Sequence, residues 1–125
     1  MTIEINNKNK FLGKRGEEIA KKYFESLGYG LLAENYRFER AETDLIFTDV
    51  QKKRLVFVEV KTRTSKKFGE PEESITEKKV EQLIKSAQGF IMTYPEYEDF
   101  EKRFDVASIM IVNGKEELKH LENVI

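Results

Sequence analysis

Residues 55–63, with the sequence Leu-Val-Phe-Val-Glu-Val-Lys-Thr-Arg, are the most informative stretch of this chain. Their β-branched and aromatic side chains favour a strand, and the apolar first half is typical of a strand buried within a sheet. Side chains alternate along a strand, so Glu59 and Lys61 share one face and lie roughly 7 Å apart. Because charged groups are costly to bury, this acid and this base indicate a function.

The rest of the chain predicts one domain arranged around that strand. Apolar spacing from Leu12 to Leu27 predicts a helix that ends at Gly28. Residues 1–10 lack periodicity, so we expect a mobile or loosely docked arm there, followed by a single domain over residues 11–125. Further patterns predict strands over residues 29–38, 42–48, 54–62 and 103–112, a helix from Ser74 or Thr76 to Tyr94, and a short edge strand over 118–125.

The order of these elements is α-β-β-β-α-β(-β), which predicts an α/β (α+β) domain with one mixed sheet of four or five strands. Short connections between the first three strands favour an antiparallel meander. Gly13 and Gly16 fall early in the first helix, where each costs about 1 kcal/mol relative to alanine. They indicate either close approach of another backbone or ligand, or a frayed helix start.

Composition limits the classes of function. The 125 residues are 39% hydrophobic and 36% charged, which suits one soluble domain, and the absence of cysteine excludes disulfides, thiolate zinc sites and cysteine nucleophiles. No apolar run approaches the roughly 20 residues that span a bilayer, and no signal peptide is evident, so we expect a cytoplasmic protein. The net charge of −1 means that any contact with nucleic acid must use a local group of basic residues, such as Lys61, Arg63, Lys66, Lys67, Lys78 and Lys79.

A second acid, Asp44, stands where the preceding strand begins, so two carboxylates from adjacent strands could bind Mg²⁺ or Mn²⁺. The backbone carbonyl of Val60 could add a ligand, and Glu17 could complete the shell from the first helix. Such a metal would polarise a phosphate and activate water. Lys61 would orient that water or stabilise developing charge, because two nearby acids oppose the low pKa that a lysine base needs.

Simpler explanations exist for each of these residues. Acids and lysines alternate on many solvated strands, and Glu17 alone fits a solvated helix position. Thr76 and Lys79 are most simply a helix cap and a solvated lysine, and His120 needs no functional explanation. The burial predicted for the Glu59 strand is what favours the metal site.

The chain resembles the YraN-type family of small bacterial proteins, within the PD-(D/E)xK nuclease superfamily that includes archaeal Holliday-junction resolvases. The matching motifs cover most of the chain: Gly13-x-x-Gly16-Glu17-x-x-Ala20, Gly28-Tyr29, Asn35-Tyr36-Arg37, Glu42-Thr43-Asp44-Leu45-Ile46, Phe57-Val58-Glu59-Val60-Lys61-Thr62-Arg63, Phe68-Gly69, Thr76-x-x-Lys79 and Arg103-Phe104-Asp105-Val106.

The resemblance implies a restriction-endonuclease-like fold with Asp44, Glu59 and Lys61 as the active-site signature, and with Glu17 joining the metal site. It also implies that the phosphate contacts come from a basic set, Arg37, Arg63 and Lys79. The chain departs from the usual Gly-Glu-Ile-Asp, because Ala41 replaces the glycine and Thr43 the isoleucine. We therefore expect an altered turn before that strand and one weakened core contact.

Three functions are compatible with the sequence. The first is a divalent-metal-dependent endonuclease acting on DNA, including branched or damaged DNA, and a homodimer would suit such an enzyme because resolvases cut two strands symmetrically. The second is a nucleic-acid-binding module with the same fold and no catalysis. The third is an adaptor that binds a protein partner through the acidic segment 96–102.

Overall fold

The computed structural model describes residues 2–64 and 75–125, with side chains from residue 11 onward. Its elements are α1 (Thr2–Ser26), β1 (Gly30–Phe38), β2 (Ala41–Asp49), β3 (Arg54–Arg63), α2 (Glu77–Thr93), β4 (Glu101–Val112) and β5 (Lys115–Leu121), with one 3₁₀ turn at Pro95–Tyr97. The five strands form one mixed sheet in the order β1-β2-β3-β4-β5. The predicted α+β fold and element order are confirmed.

The central strand of the sheet is β3, as its apolar sequence predicted. It pairs antiparallel with β2, which pairs antiparallel with β1, so the meander is confirmed. On its other side β3 pairs parallel with β4, because α2 carries the chain back across the sheet, and β4 pairs antiparallel with β5. No helix of the described residues has the length and apolar character needed to cross a membrane.

Each face of the sheet is covered by a different helix. On the α1 face, Val56 and Val58 pack with Ala20 and Phe24 of the helix. On the α2 face, Leu55 and Phe57 of the same strand pack in a cluster with Phe90 of the helix. The alternation predicted for residues 55–63 is therefore confirmed, and it places Glu59 on the α2 face.

Two elements begin at least three residues earlier than predicted. The first helix begins at Thr2, so the prediction that helical structure starts near Leu12 is wrong, although the mobility of residues 1–10 stays a prediction. A docked helix can extend without burying a further face, because each added residue gains its own backbone hydrogen bond. The last strand starts at Lys115, directly after the turn at Asn113 and Gly114, which both have positive φ. Phe68, Gly69 and Ser74 lie outside the described residues.

The structure shows the surroundings of Ala41 and Thr43, where the chain departs from the usual sequence. The two-residue turn before β2 is made by Glu39, with φ 56°, and Arg40, so no glycine is needed at Ala41. Thr43 is fully buried, and its hydroxyl donates to Ser86 of α2, which donates in turn to the Leu83 carbonyl. Thr43 therefore forms a satisfied buried hydrogen bond, and the weakened core contact relative to isoleucine stays a prediction.

Candidate active site

The candidate site forms where β2 and β3 separate. Their paired register runs from Asp49 opposite Arg54 to Leu45 opposite Val58. Past that point the Val60 amide donates a 2.7 Å hydrogen bond to the Asp44 carboxylate. The side chain of Asp44 thus occupies the gap between the two strands, and its position is fixed by the backbone of β3.

Glu59 lies next to this gap with only 6% of its surface exposed. Its Oε1 is 2.7 Å from the ammonium of Lys79, at the start of α2, and 3.7 Å from that of Lys61. Two lysines from different elements therefore share one carboxylate oxygen. The predicted proximity of Glu59 and Lys61 is confirmed, and Lys79 joins them by the crossover through α2.

The Asp44 carboxylate is electrostatically unfavourable in its ionised form. Burial raises its pKa from 3.8 to about 7, and the negative charges of Glu59 and Glu17 contribute in the same direction. The Val60 hydrogen bond and the charge of Lys79 oppose the shift. For Lys79, burial lowers the pKa, but the hydrogen bond and the charge of Glu59 outweigh it, so the net shift is upward.

Glu17 approaches the site from α1, and its negative charge acts on Asp44. Burial raises its pKa, while a hydrogen bond from the Asn35 side chain lowers it. Asn35 lies opposite Asp44 in the register of β1 and β2, between the pairs Glu34–Leu45 and Tyr36–Thr43, with φ of 49°. Asparagine tolerates this left-handed conformation.

Asn35 is a site residue that had no predicted role of its own. The available signal was an asparagine, a residue type depleted in strands, in the middle of a strand sequence.

The donor set suits a hard divalent cation. Asp44 and Glu59 supply two carboxylates, and Mg²⁺ is commonly bound by one or two together with water. No group of three or more Asp, Glu or His side chains suited to a metal occurs among the residues that the structure describes. The negative charge of Glu59 raises the pKa of Asp44, so a cation between them would relieve an existing repulsion. The two carboxylates fit the metal, while Glu17 is hydrogen-bonded to Asn35.

The three predicted phosphate contacts have different surroundings. Arg37 is 69% exposed and pairs with Glu42 at 3.2 Å, and Arg63 is the half-buried last residue of β3. Thr76 caps α2, as predicted, by accepting from the Lys79 amide. The description of Lys79 as a solvated lysine is wrong, because its ammonium is bound to Glu59.

A second polar cluster was not predicted. Asp105 is fully buried on the α1 face, where it accepts hydrogen bonds from Arg103 and from the Asn123 amide. It also lies 2.7 Å from Nε2 of His120, whose Nδ1 is 3.0 Å from the Tyr23 hydroxyl. His120 lies on the edge strand β5, as predicted, and its ring connects that strand to the buried Asp105. Strand alternation alone could not show that a histidine on an edge strand reaches a buried acid.

Known proteins similar to this chain share most of its length. The model of the uncharacterised protein family UPF0102 matches residues 16–109. A UPF0102 protein of Desulforamulus reducens is 39% identical over 118 residues, covering 93% of this chain and 96% of that protein. Another, from Natranaerobius thermophilus, is 41% identical over 123 residues, covering 95% and 98%. The resemblance to the YraN-type family is thereby confirmed, and the chain belongs to the uncharacterised protein family UPF0102.

Proposed function

We propose that this protein is a divalent-metal-dependent endonuclease that hydrolyses phosphodiester bonds in DNA, branched or damaged DNA included. The observation that carries the proposal is the pair of carboxylates, Asp44 and Glu59, at the point where β2 and β3 separate. The ammonium groups of Lys61 and Lys79 both lie beside the Glu59 carboxylate. Charged groups are costly to bury, which favours a functional role for this group.

Each residue has a distinct role in the proposed reaction. Asp44 and Glu59 would hold Mg²⁺ or Mn²⁺ together with the Val60 carbonyl, while the Val60 amide keeps the Asp44 carboxylate turned toward the gap. The bound ion supplies a Lewis acid for the phosphate and lowers the pKa of a coordinated water. Lys61, whose ammonium is 3.7 Å from Glu59, orients that water and stabilises the charge that develops on the phosphate.

The remaining predicted residues surround this centre. Glu17, which is hydrogen-bonded to Asn35, would join the metal ligands from α1. Arg37 and Arg63 would contact the DNA backbone, which sets orientation rather than sequence preference. The proposal also includes that the protein acts on DNA as a homodimer and in the cytoplasm.

A non-catalytic nucleic-acid-binding module is the second candidate. It is favoured by one observation: Lys79 already neutralises Glu59 at 2.7 Å, so this carboxylate has a cationic partner without a metal. The adaptor has less support, because the acidic segment is partly engaged within the chain. Asp99 pairs with Lys53 at 2.8 Å, and Glu101 with Arg54 at 3.2 Å.

The first test is calorimetric titration of Mn²⁺ into the wild type and into Asp44→Ala, followed by cleavage assays on branched and linear DNA. We expect saturable binding at one or two sites and cleavage, both lost in Asp44→Ala. Asp99→Ala is the matched control, because it removes an exposed aspartate that is paired elsewhere. If the wild type takes up no Mn²⁺ even with branched DNA present, the binding module replaces the enzyme.

A further inference from the structure

Lys79 occupies an unusual position for a lysine. Thr76 is the N-cap of α2, so Lys79 is the third residue of the helix, where the capping motif favours glutamate or glutamine. A cation in the first helical turn is also disfavoured by the helix dipole. Local helix stability therefore does not explain this residue, and the reason must lie in what its side chain contacts.

That contact is the candidate metal ligand itself. The ammonium of Lys79 is 2.7 Å from Glu59 Oε1, whereas the ammonium of Lys61 is 3.7 Å from the same oxygen. The Thr76 hydroxyl accepts from the Lys79 amide at 3.2 Å, so the cap fixes the point from which the side chain extends. The Lys79 side chain is about one third exposed, so its ammonium can also reach a ligand at the surface.

We propose that Lys79 is a positioning residue that exchanges partners: it holds Glu59 while no metal is bound and moves to a DNA phosphate when Glu59 binds the metal. This inference rests on the proposed function. A divalent cation on Glu59 repels the ammonium that occupies the same oxygen, so metal binding alone is opposed by Lys79. A phosphate beside the site gives that ammonium a new partner and removes the opposition.

Thermodynamic linkage then makes the effect reciprocal, since DNA that favours metal binding must itself bind more tightly when metal is present. The exchange would keep the metal affinity of the site low until nucleic acid arrives. Lys61 has no such role, because its longer distance to Glu59 makes its pairing weaker.

The metal side of the exchange is tested by titrating Mn²⁺ alone into the wild type and three variants. We expect Lys79→Met to bind Mn²⁺ about tenfold more tightly, because no ammonium has to be displaced from Glu59. Lys61→Met should show a smaller gain, and Lys78→Met, which removes an exposed charge from the preceding helical position, should match the wild type. An Lys79→Met affinity no higher than that of Lys61→Met would overturn the exchange.

The DNA side is tested by measuring the affinity for branched DNA with and without Ca²⁺, at several salt concentrations. In the wild type and in Lys85→Met, which removes an exposed lysine of α2 that pairs with Glu39, we expect Ca²⁺ to strengthen binding, and in Lys79→Met most of that gain should be lost. The salt slope should fall by about 0.9 in Lys79→Met only when Ca²⁺ is present, which corresponds to one phosphate contact. An unchanged Ca²⁺ effect in Lys79→Met would refute the exchange alone, whereas a wild type that binds no metal with DNA present would refute the proposed nuclease as well.

Discussion

At the scale of single residues, the partly buried Asp44 and the fully buried Asp105 have opposite environments. The Asp44 carboxylate lies beside Glu59 and within the influence of Glu17, so its pKa is raised by burial and by like charge. Burial acts in the same direction on Asp105, but hydrogen bonds from His120, Arg103 and the Asn123 amide lower its pKa below the usual value. One carboxylate is held at a cost to the fold, and the other stabilises it.

The first residue-scale prediction is that Asp44→Asn stabilises the protein. Asparagine has nearly the same shape and can still accept from the Val60 amide, but it removes a negative charge beside Glu59. We expect the free energy of unfolding to rise by about 2 kcal/mol, measured by urea denaturation at pH 8 without metal. Loss of stability in Asp44→Asn would show that the carboxylate has a structural role and would weaken the case for a metal site.

At the scale of elements, the two glycines of α1 have different surroundings. A Cβ placed on Gly13 meets nothing within 4 Å, whereas a Cβ on Gly16 would collide with the side chain of Thr62 on β3. A close approach is found at Gly16 but not at Gly13, and it is made by the Thr62 side chain rather than by the backbone or ligand that was predicted. It allows α1 to lie directly against the end of β3 that carries Glu59 and Lys61.

This difference predicts opposite effects of the same substitution. Gly13→Ala should raise the free energy of unfolding by about 1 kcal/mol, because alanine favours a helix and space is available. Gly16→Ala should lower it by about 2 kcal/mol, because Thr62 must move to admit the methyl group. Thermal denaturation of both variants, with Gly16→Ala/Thr62→Ala as the relieved control, measures the effects. Similar stabilisation by both alanines would contradict the close packing.

Most elements could be predicted from the sequence, because the spacing of their apolar residues matches the faces that the fold buries. The central strand, the meander and the turn at Asn113 and Gly114 follow from alternation, short connections and turn chemistry. The start of α1 was not readable, since residues 2–10 have no apolar face. The start of β5 was missed for a related reason: its sequence from Lys115 is charged, although the turn before it was identified.

The candidate site was readable only in part. Asp44, Glu59 and Lys61 stand out because charges interrupt buried strands. The contact of Lys79 with Glu59 depends on where the crossover helix crosses the sheet, which no local pattern specifies. The hydrogen bond of Asn35 to Glu17 depends likewise on how α1 packs on β1.

At the scale of the whole molecule, the two faces of the sheet have different polar clusters. The carboxylates of the candidate active site are near the start of α2, while the Asp105 cluster lies on the α1 face. Asp105 joins β4 to β5 through His120 and to the C-terminal segment through the Asn123 amide. His120 continues the connection to Tyr23 of α1. Four parts of the chain are thus held by one buried carboxylate.

The Asp105 cluster predicts how global stability depends on pH. Hydrogen bonds from His120, Arg103 and the Asn123 amide lower the pKa of Asp105 below its unfolded value of 3.8, so the folded state binds this proton less readily than the unfolded chain. The stabilisation is therefore complete above about pH 5 and is lost as the pH falls below 4 through the lowered pKa.

Asp105→Asn leaves the Arg103 guanidinium without its main partner and should cost about 3 kcal/mol at pH 7. Urea denaturation of wild type and Asp105→Asn between pH 3 and pH 8 should show a constant difference above pH 5 that shrinks in acid. Asp99→Asn, at an exposed surface pair, is the control and should stay close to the wild type throughout. A difference that persists unchanged to pH 3 would mean that the Asp105 charge does not hold these elements together.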